Sequence, residues 1–310
     1  MASQVYLSIL IPVYNWDIGP LLTALAAQAR PLASGRQVEI IVLDDGSTEK
    51  FTNKAVADQL FLVRYEESAV NKGRAETRNA LLQQAQGQYV LFLDADMLPD
   101  RSDFVQTYLQ EAQQGGEIVC GGISYQQHDQ PAPEYSFYLY KSHRTEALAA
   151  SVRASTPWRY LFTSNIMVRR EIMQAVRFDA RFTGYGFEDI EWGVRLGDNF
   201  TIKHIENTCS HMGLMTKQQL WAKMRDSIPN YALLLALHPL KTDHSGAAAL
   251  AFFLRYLPAE LLTAGDWLLN RLFAWLPWNW PLFLILQCDK ALMLTLELKK
   301  ESRSTRPLYK

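Results

Sequence analysis

Short apolar runs recur through the first two-thirds of the chain, and turn residues and helical patterns separate them. Residues 5–13 form one such run, broken mainly by Ser8; others are 38–43, 60–65, 89–93 and 117–123. Continuous apolar runs of this length suit strands buried on both faces. Between them, residues 21–29, 74–86 and 104–112 have helical patterns, the second with Ala75, Leu81, Leu82 and Ala85 on its apolar side. Strands alternating with helices predict an α/β chain with a mainly parallel sheet joined by right-handed crossovers. After a loop at Pro131 to Pro133, a helical stretch is expected to about residue 150, then a strand at 161–168 and a short helix at 169–176. A further helix is expected at 190–196 and a strand at 200–205, running toward His211.

Such a sheet binds ligands outside the carboxyl ends of its strands. Pro12-Val13-Tyr14-Asn15, Asp44-Asp45 and Asp94-Ala95-Asp96 all fall at predicted strand ends, so they are expected to converge on one crevice. If extended geometry continued past Leu93, Asp94 and Asp96 would face the same side. Paired carboxylates suit a hard divalent cation, Mg²⁺ or Mn²⁺, that also holds substrate phosphates. The same Asp-x-Asp also serves in loops for capping or solvation. Asp45 is a candidate acceptor for a base N–H or a ribose hydroxyl. Asp-Gly-Ser-Thr is equally strong turn chemistry, and the two aspartates allow one for each job. Arg74 and Arg78 lie at the start of a predicted helix, where free backbone N–H groups and guanidinium forks grip phosphate. Either arginine alone would by default belong to a solvated helix face.

A second acidic pair, Glu188-Asp189, lies about ninety residues beyond the first, in Gly184-Tyr-Gly-Phe-Glu-Asp-Ile-Glu. A carboxylate at a helix N-terminus stays ionised and can take a proton from an attacking hydroxyl. Helix capping is the common alternative. It does not account for Gly184 and Gly186, which flank Tyr185 and allow close backbone approach to a ligand. His211 would complete a cation site if the chain returns to the crevice; a lone histidine is more often structural.

The chain has 310 residues, which suits one large α/β domain or a domain with an appendage. Hydrophobic residues make up 48%, enough for a sizeable core. The net charge of -1 provides no global attraction to nucleic acid. Cys120, Cys209 and Cys288 are far apart without metal-ligand spacing, so free thiols in a reducing compartment are expected. Met1 to Gln4 lead straight into a strand, and no signal peptide is expected there.

From about residue 247 to 298 the chain is rich in Leu, Phe, Trp and Ala, with charges interspersed. The longest stretch without a formal charge, 272–288, contains Pro277, Asn279 and Pro281. A spanning helix needs roughly 20 mostly apolar residues, so none is expected. Trp267, Trp275, Trp278 and Trp280 are of the type enriched at membrane interfaces, and residues 299–310 are basic. These features predict an element lying on a membrane surface, peripheral on its cytoplasmic face. A helical appendage packed on its own domain or on a partner subunit is the other possibility. The expected division is an α/β domain over 1–230 and a hydrophobic helical, membrane-associating region over 231–310.

Taken in order, these motifs resemble the family 2 glycosyltransferases, which have the GT-A fold with its Rossmann-like sheet. The matching segments are Ser8 to Asn15, Val42 to Ser47, Asn71 to Ala75 with Arg78-Asn79, Gly87 to Asp96, and Phe178 to Phe182. Gly184 to Asp189 also looks like the Gly-Trp-Gly-Gly-Glu-Asp motif of β-1,4-galactosyltransferases and bacterial chondroitin-type polymerases. The resemblance covers roughly residues 5 to 215. It implies that Pro12, Val13, Tyr14, Asp45 and Ala95 line the sugar-nucleotide pocket, and that Arg74, with Arg78, contacts the diphosphate. Asp94 would contact ribose or metal. Asp96 would bind Mn²⁺ or Mg²⁺, and His211 would be a third ligand. Asp189 would be the general base, with Glu188 orienting the acceptor. Tyr185 and Gly186 would stand near sugar and acceptor. Tyr185 replaces the relatives' Trp and Phe187 their Gly, which alters the acceptor side. The implied reaction is inverting transfer of a hexose or N-acetylhexosamine from a UDP-sugar to a hydroxyl of a glycan or lipid-linked acceptor. Two other readings are a nucleotidyltransferase, which generally wants a Gly-rich phosphate loop where this chain has Pro-Val-Tyr-Asn, and a non-catalytic transferase-like scaffold.

Overall fold

The computed structural model describes residues 6–35, 37–49, 51–239 and 246–303. The expectations for residues 1–4, and for the basic end beyond residue 303, lie outside the described residues. The chain divides into two compact units. One runs to Gln130 and adds Arg144–Phe178 and Trp192–Gly213; the other holds Pro131–His143, Asp179–Glu191 and the residues from Leu214 onward.

In the first unit, the strands are β1 (Leu7–Val13), β2 (Val38–Asp44), β3 (Val63–Glu67), β4 (Tyr89–Leu93), β5 (Met97–Pro99), β6 (Ile118–Cys120), β7 (Ile123–Ser124), β8 (Asn165–Arg169), β9 (Ile202–His204) and β10 (Cys209–His211). Seven of them form one sheet in the order β3-β2-β1-β4-β8-β6-β9, and β5-β10-β7 form a second, three-stranded sheet. The large sheet is mainly parallel: β1 pairs in parallel with β2 and β4, β2 with β3, and β6 with β9. Only β8 runs against its neighbours, β4 and β6. Leu7, Ile9, Leu10 and Ile11 are fully buried, as are Val90, Leu91 and Leu93. Each such side chain contributes about 1.5–3 kcal/mol by leaving water, which explains why these runs form the central strands. The parallel register sets Val13 beside Asp44 at one edge of the sheet.

The run expected as one strand over 117–123 is instead two strands assigned to different sheets. Between them, Gly122 has φ +90, and a Cβ there would fall 2.6 Å from the Arg153 guanidinium carbon. Arg153 is fully buried. Its guanidinium donates to the carbonyls of Cys120, Gly121 and Ile205 and contacts His204 Nδ1 at 2.8 Å. This polar plug ends β6 and turns the chain into the small sheet. The strand expected at 60–65 lies later, over β3, because residues 60–62 form a turn in which Val63 N–H bonds back to the Leu60 carbonyl. The strands expected at 161–168 and 200–205 are the shorter β8 and β9.

The helices are α1 (Gly19–Ala29), α2 (Asn53–Ala57), α3 (Arg74–Gln84), α4 (Phe104–Gln113), α5 (Ser136–Thr145), α6 (Ala150–Arg153), α7 (Arg170–Ala175), α8 (Glu188–Gly197), α9 (Lys217–Asp226), α10 (Ile228–Leu237), α11 (Gly246–Leu254), α12 (Ala259–Trp275) and α13 (Asn279–Arg303). The first unit's core joins Leu81 and Leu82 of α3 and Trp192 and Leu196 of α8 to sheet residues such as Phe92 and Ile166.

The second unit is helical. Thr216 opens α9 with a reciprocal capping box to Gln219, which satisfies two otherwise orphan N–H groups. Small residues Ala247, Ala248 and Ala251 of α11 and Ala291 of α13 let helices approach around Tyr231 and Leu234. Arg225 of α9 pairs with Asp266 of α12 and with the fully buried Asp289 of α13. Burial pushes the Asp289 carboxyl up to about 6, against the pull of Arg225. Pro277 separates α12 from α13, and among the described residues no helix is long and apolar enough to cross a membrane. All three cysteines are free thiols, Cys120 and Cys209 buried and Cys288 exposed.

Candidate active site

One cleft of about 270 Å³ opens at the carboxyl ends of β1, β2 and β4. Pro12, Val13, Tyr14, Asp45, Arg74, Arg78, Asp94, Ala95 and Asp96 line it. Parallel pairing brings together residues that are eighty positions apart in sequence. Trp16, Asn71, Gly73 and Thr77 also line the cleft. Sequence reasoning did not single them out as site residues, although each adjoins a motif that it did.

The two neighbouring aspartates divide their work. Asp44 accepts from Ser47 N–H at 2.7 Å and from the Tyr65 hydroxyl at 2.9 Å, so it holds the turn. Asp45 lines the cleft, and its two oxygens accept N–H bonds from Lys72 and Gly73, each at 2.8 Å. Those bonds anchor the loop that begins α3 and set Arg74 in the cleft. An ionised carboxylate has about four acceptor sites, so capacity for a ligand remains. Asn15, with φ 50, ties the β1 and β2 loops together: its Oδ1 accepts from the N–H groups of Thr48 and Glu49.

Arg78 is buried, and its guanidinium donates to Asp94 Oδ1 at 2.8 Å. It therefore orients Asp94 within the cleft as well as carrying positive charge there. Asp96 faces His211, with Nε2 3.2 Å from Oδ2. Their meeting depends on the small sheet, which the sequence does not announce. Antiparallel pairing sets His211 of β10 against Met97 of β5, next to Asp96. Met212 N–H bonds the Asp96 carbonyl at 2.7 Å. Asp100 accepts from the hydroxyls of Ser124, Thr208 and Ser210 and so locks the three short strands together. At Gly213 a Cβ would fall 2.9 Å from Asp96 Oδ2, so a side chain there would shift that carboxylate from its present position.

Burial opposes charge on both partners, yet their mutual interaction prevails. His211, followed by Arg74, holds the Asp96 carboxyl below its usual range. Asp96, with further help from Glu146 and Asp94, lifts the His211 imidazole above its usual value. A carboxylate and an imidazole in contact, with Asp94 in the same cleft, are a donor set that fits Mn²⁺ or Mg²⁺. Among the described residues no three His, Cys, Asp or Glu side chains are placed to hold a metal ion together. Partial ligation from the protein is what such ions use when substrate phosphates and water supply the rest.

Tyr185, Gly186, Glu188 and Asp189 belong to the second unit. The loop before α8 takes an uncommon path: Gly184, Gly186 and Phe187 have φ of 81, 87 and 69. Left-handed backbone costs a non-glycine residue about 1–2 kcal/mol. Phe187 is held there by stacking flat on Tyr231, with centroids 4.5 Å apart, under the Lys290 ammonium. Asn230 donates to the Gly186 carbonyl at 2.8 Å, and Lys223 lies over the Tyr185 ring. Glu188 and Asp189 are the first residues of α8, and Asp189 Oδ1 accepts from Ile190 N–H. The helix start thus presents two carboxylates from a braced loop.

Comparison with known proteins identifies the family and the fold. The family described as Glycosyl transferase family 2 matches residues 8–177, more than half of the chain. Validoxylamine A glucosyltransferase of Streptomyces hygroscopicus subsp. limoneus is 27% identical over 217 residues, which cover 61% of this chain and 47% of that protein. The chain thus spans about half the length of that relative. The mannosyltransferase PcManGT of Pyrobaculum calidifontis, solved with GDP-Man and Mn²⁺, is similar with a TM-score of 0.57 and 16% identity over 97% of this chain and 88% of that one. S. aureus TarS 1-349, solved with UDP, has a TM-score of 0.54 and 16% identity over 98% of this chain and 93% of that one. These likenesses establish the GT-A type fold, and the extent of the sequence match shows that the chain belongs to glycosyl transferase family 2.

Proposed function

We propose that the protein transfers a hexose or N-acetylhexosamine from a UDP-sugar to a hydroxyl of a glycan or lipid-linked acceptor, with inversion at the anomeric carbon. The observation that carries this reading is the cleft where Asp45, Arg74 and Asp94-Ala95-Asp96 converge, with His211 brought onto Asp96 by a separate sheet.

Pro12, Val13, Tyr14 and Ala95 hold the nucleoside, Asp45 accepts from base or ribose, and Asp94, oriented by Arg78, binds ribose. Arg74, at the first turn of α3, takes the diphosphate with charge-assisted hydrogen bonds. Asp96 and His211 would hold the divalent ion, Mn²⁺ or Mg²⁺; when bound, such an ion offsets the charge that develops on the departing diphosphate. Asp189 removes the proton of the acceptor hydroxyl. The resulting oxygen nucleophile attacks the anomeric carbon from the face opposite UDP: the new C–O bond forms as the bond to the diphosphate breaks. Glu188 orients the acceptor, and Tyr185 and Gly186 contact sugar and acceptor. The likeness of Gly184 to Asp189 to the Gly-Trp-Gly-Gly-Glu-Asp motif supports these assignments.

The test is UDP release from a panel of UDP-sugars, with GDP-mannose alongside, without added acceptor. Slow UDP formation from at least one UDP-sugar, abolished by EDTA, is the expected result. Turnover of GDP-mannose alone would overturn the donor assignment, and undiminished turnover in EDTA would overturn the metal.

A further inference from the structure

Exposed aromatic side chains are concentrated in the second unit. Helix α12 has an inner stripe that includes Leu262 and Phe273, both buried. On a second side, about 120° round the helix, Leu261, Leu268, Leu272 and Trp275 recur at helical spacing and are all exposed. A helix apolar on both sides covers only one of them within its own unit. The outer stripe connects two aromatic corners. Phe252, Phe253, Tyr256 and Leu257 precede α12, and Trp275, its last residue, is followed by Trp278 and Trp280. Those three tryptophans are 85%, 65% and 63% exposed. Seventeen residues of helix give the strip a length of about 25 Å.

The cations beside the strip are coupled to its rings. Arg255 lies over Phe252 and Tyr256, with its guanidinium carbon 3.7 Å and 4.8 Å from the ring centroids. Arg271 lies over Trp267 at 5.1 Å. The acidic Asp266 of the same helix points away into its pair with Arg225. Lys299, Lys300, Arg303, Arg306 and Lys310 follow near the end of the chain.

We infer that this strip docks on the headgroup region of a lipid bilayer, with α12 lying in the plane of the surface. Trp and Tyr are suited to that boundary because their rings enter the acyl layer while their N–H and O–H groups stay wet. The arginines meet lipid phosphodiesters while their stems and guanidinium faces cover aromatic surface. Tryptophans clustered at one helix corner, with phenylalanine and tyrosine rings at the other, protrude rather than recede and so fit a deformable apolar phase. The partner is therefore a bilayer rather than a second copy of the chain. Attachment is mainly apolar, with anionic lipid adding a smaller, salt-sensitive part.

The test is flotation of the full chain with vesicles of phosphatidylcholine alone, or mixed with phosphatidylglycerol, at low and high salt. The comparison protein is the triple variant Trp275→Ala, Trp278→Ala, Trp280→Ala, with its fold checked by circular dichroism and its mass by light scattering. The full chain should float with both vesicle types. The triple variant should remain folded and bind at least about a hundredfold more weakly. A full chain that floats with neither vesicle, whether as monomer or as a stable dimer, would overturn the inference, as would a folded triple variant that floats equally well. UDP release by the unbound protein is unaffected by either outcome, so failure here and failure of the transferase reading are distinguishable.

Discussion

The two acidic sites are built by different means. The cleft of the first unit rests on strand ends: buried apolar strands hold the backbone, and polar pairs such as Arg78–Asp94 and Asp96–His211 then orient the carboxylates. The Glu188-Asp189 site of the second unit rests on a loop with three left-handed residues, one of them Phe187, braced by Tyr231, Lys290 and Asn230. The first design places charge at the ends of paired strands, whose backbone hydrogen bonds do not depend on any one side chain. The second fixes charge with aromatic packing, which depends on single side chains. Substitutions in the two regions are therefore expected to fail differently.

The sharpest contrast is kinetic. Asp189→Asn is expected to lower sugar transfer by about a thousandfold, the scale of a general base, while UDP affinity measured by calorimetry stays the same. Retained transfer by a folded Asp189→Asn protein would remove that residue from the chemistry. Asp96→Asn is expected to affect binding as well as rate, with a loss of about a hundredfold in turnover and weakened metal-dependent UDP binding. Equal UDP affinity of this variant with and without Mn²⁺, matching the wild type in Mn²⁺, would break the distinction between the sites.

Stability separates the regions further. Burial pushes the His204 imidazole of the first unit down to about 4, and its neighbour Arg153 adds to this. Because the folded state resists protonation, the associated stability is complete above about 6.5, the unfolded value, and is lost as pH falls toward 4. The loss is about 3 kcal/mol at most. It should appear as a falling urea midpoint between pH 7 and 4. His204→Asn should start lower at pH 7 and fall less steeply; a parallel fall would contradict the assignment. In the second unit, Phe187→Ala keeps the left-handed strain and loses the stack, whereas Phe187→Gly loses both. The glycine variant should therefore be more stable than the alanine variant by about 1 kcal/mol, and both should be less stable than the wild type. An alanine variant equal to or more stable than glycine would show that Phe187 carries no backbone strain.

The same contrast explains what could be read from the sequence. Pro12 to Tyr14, Asp45, Asp94 and Asp96 were legible as one cleft because parallel strands carry their own signature, and their carboxyl ends share an edge. The placement of His211 depends on β5, β7 and β10, strands of two or three residues with no periodic signal of their own. The split between β6 and β7 depends on Arg153, which is more than thirty residues away from Gly121 and Gly122. Gly184 and Gly186 marked the second loop as unusual, but the left-handed Phe187 depends on Tyr231 and Lys290 from distant helices. Local pattern thus indicated the strands and their ends, and long-range packing determined the rest.

The central claim is that the first unit's cleft is a metal-assisted site for a nucleoside diphosphate. Calorimetric titration of UDP into the full chain, with Mn²⁺ and then with EDTA, tests it most directly. Saturable binding in Mn²⁺ that collapses in EDTA and in Asp96→Asn is the predicted result; absence of UDP binding in Mn²⁺, or binding indifferent to both changes, would contradict it.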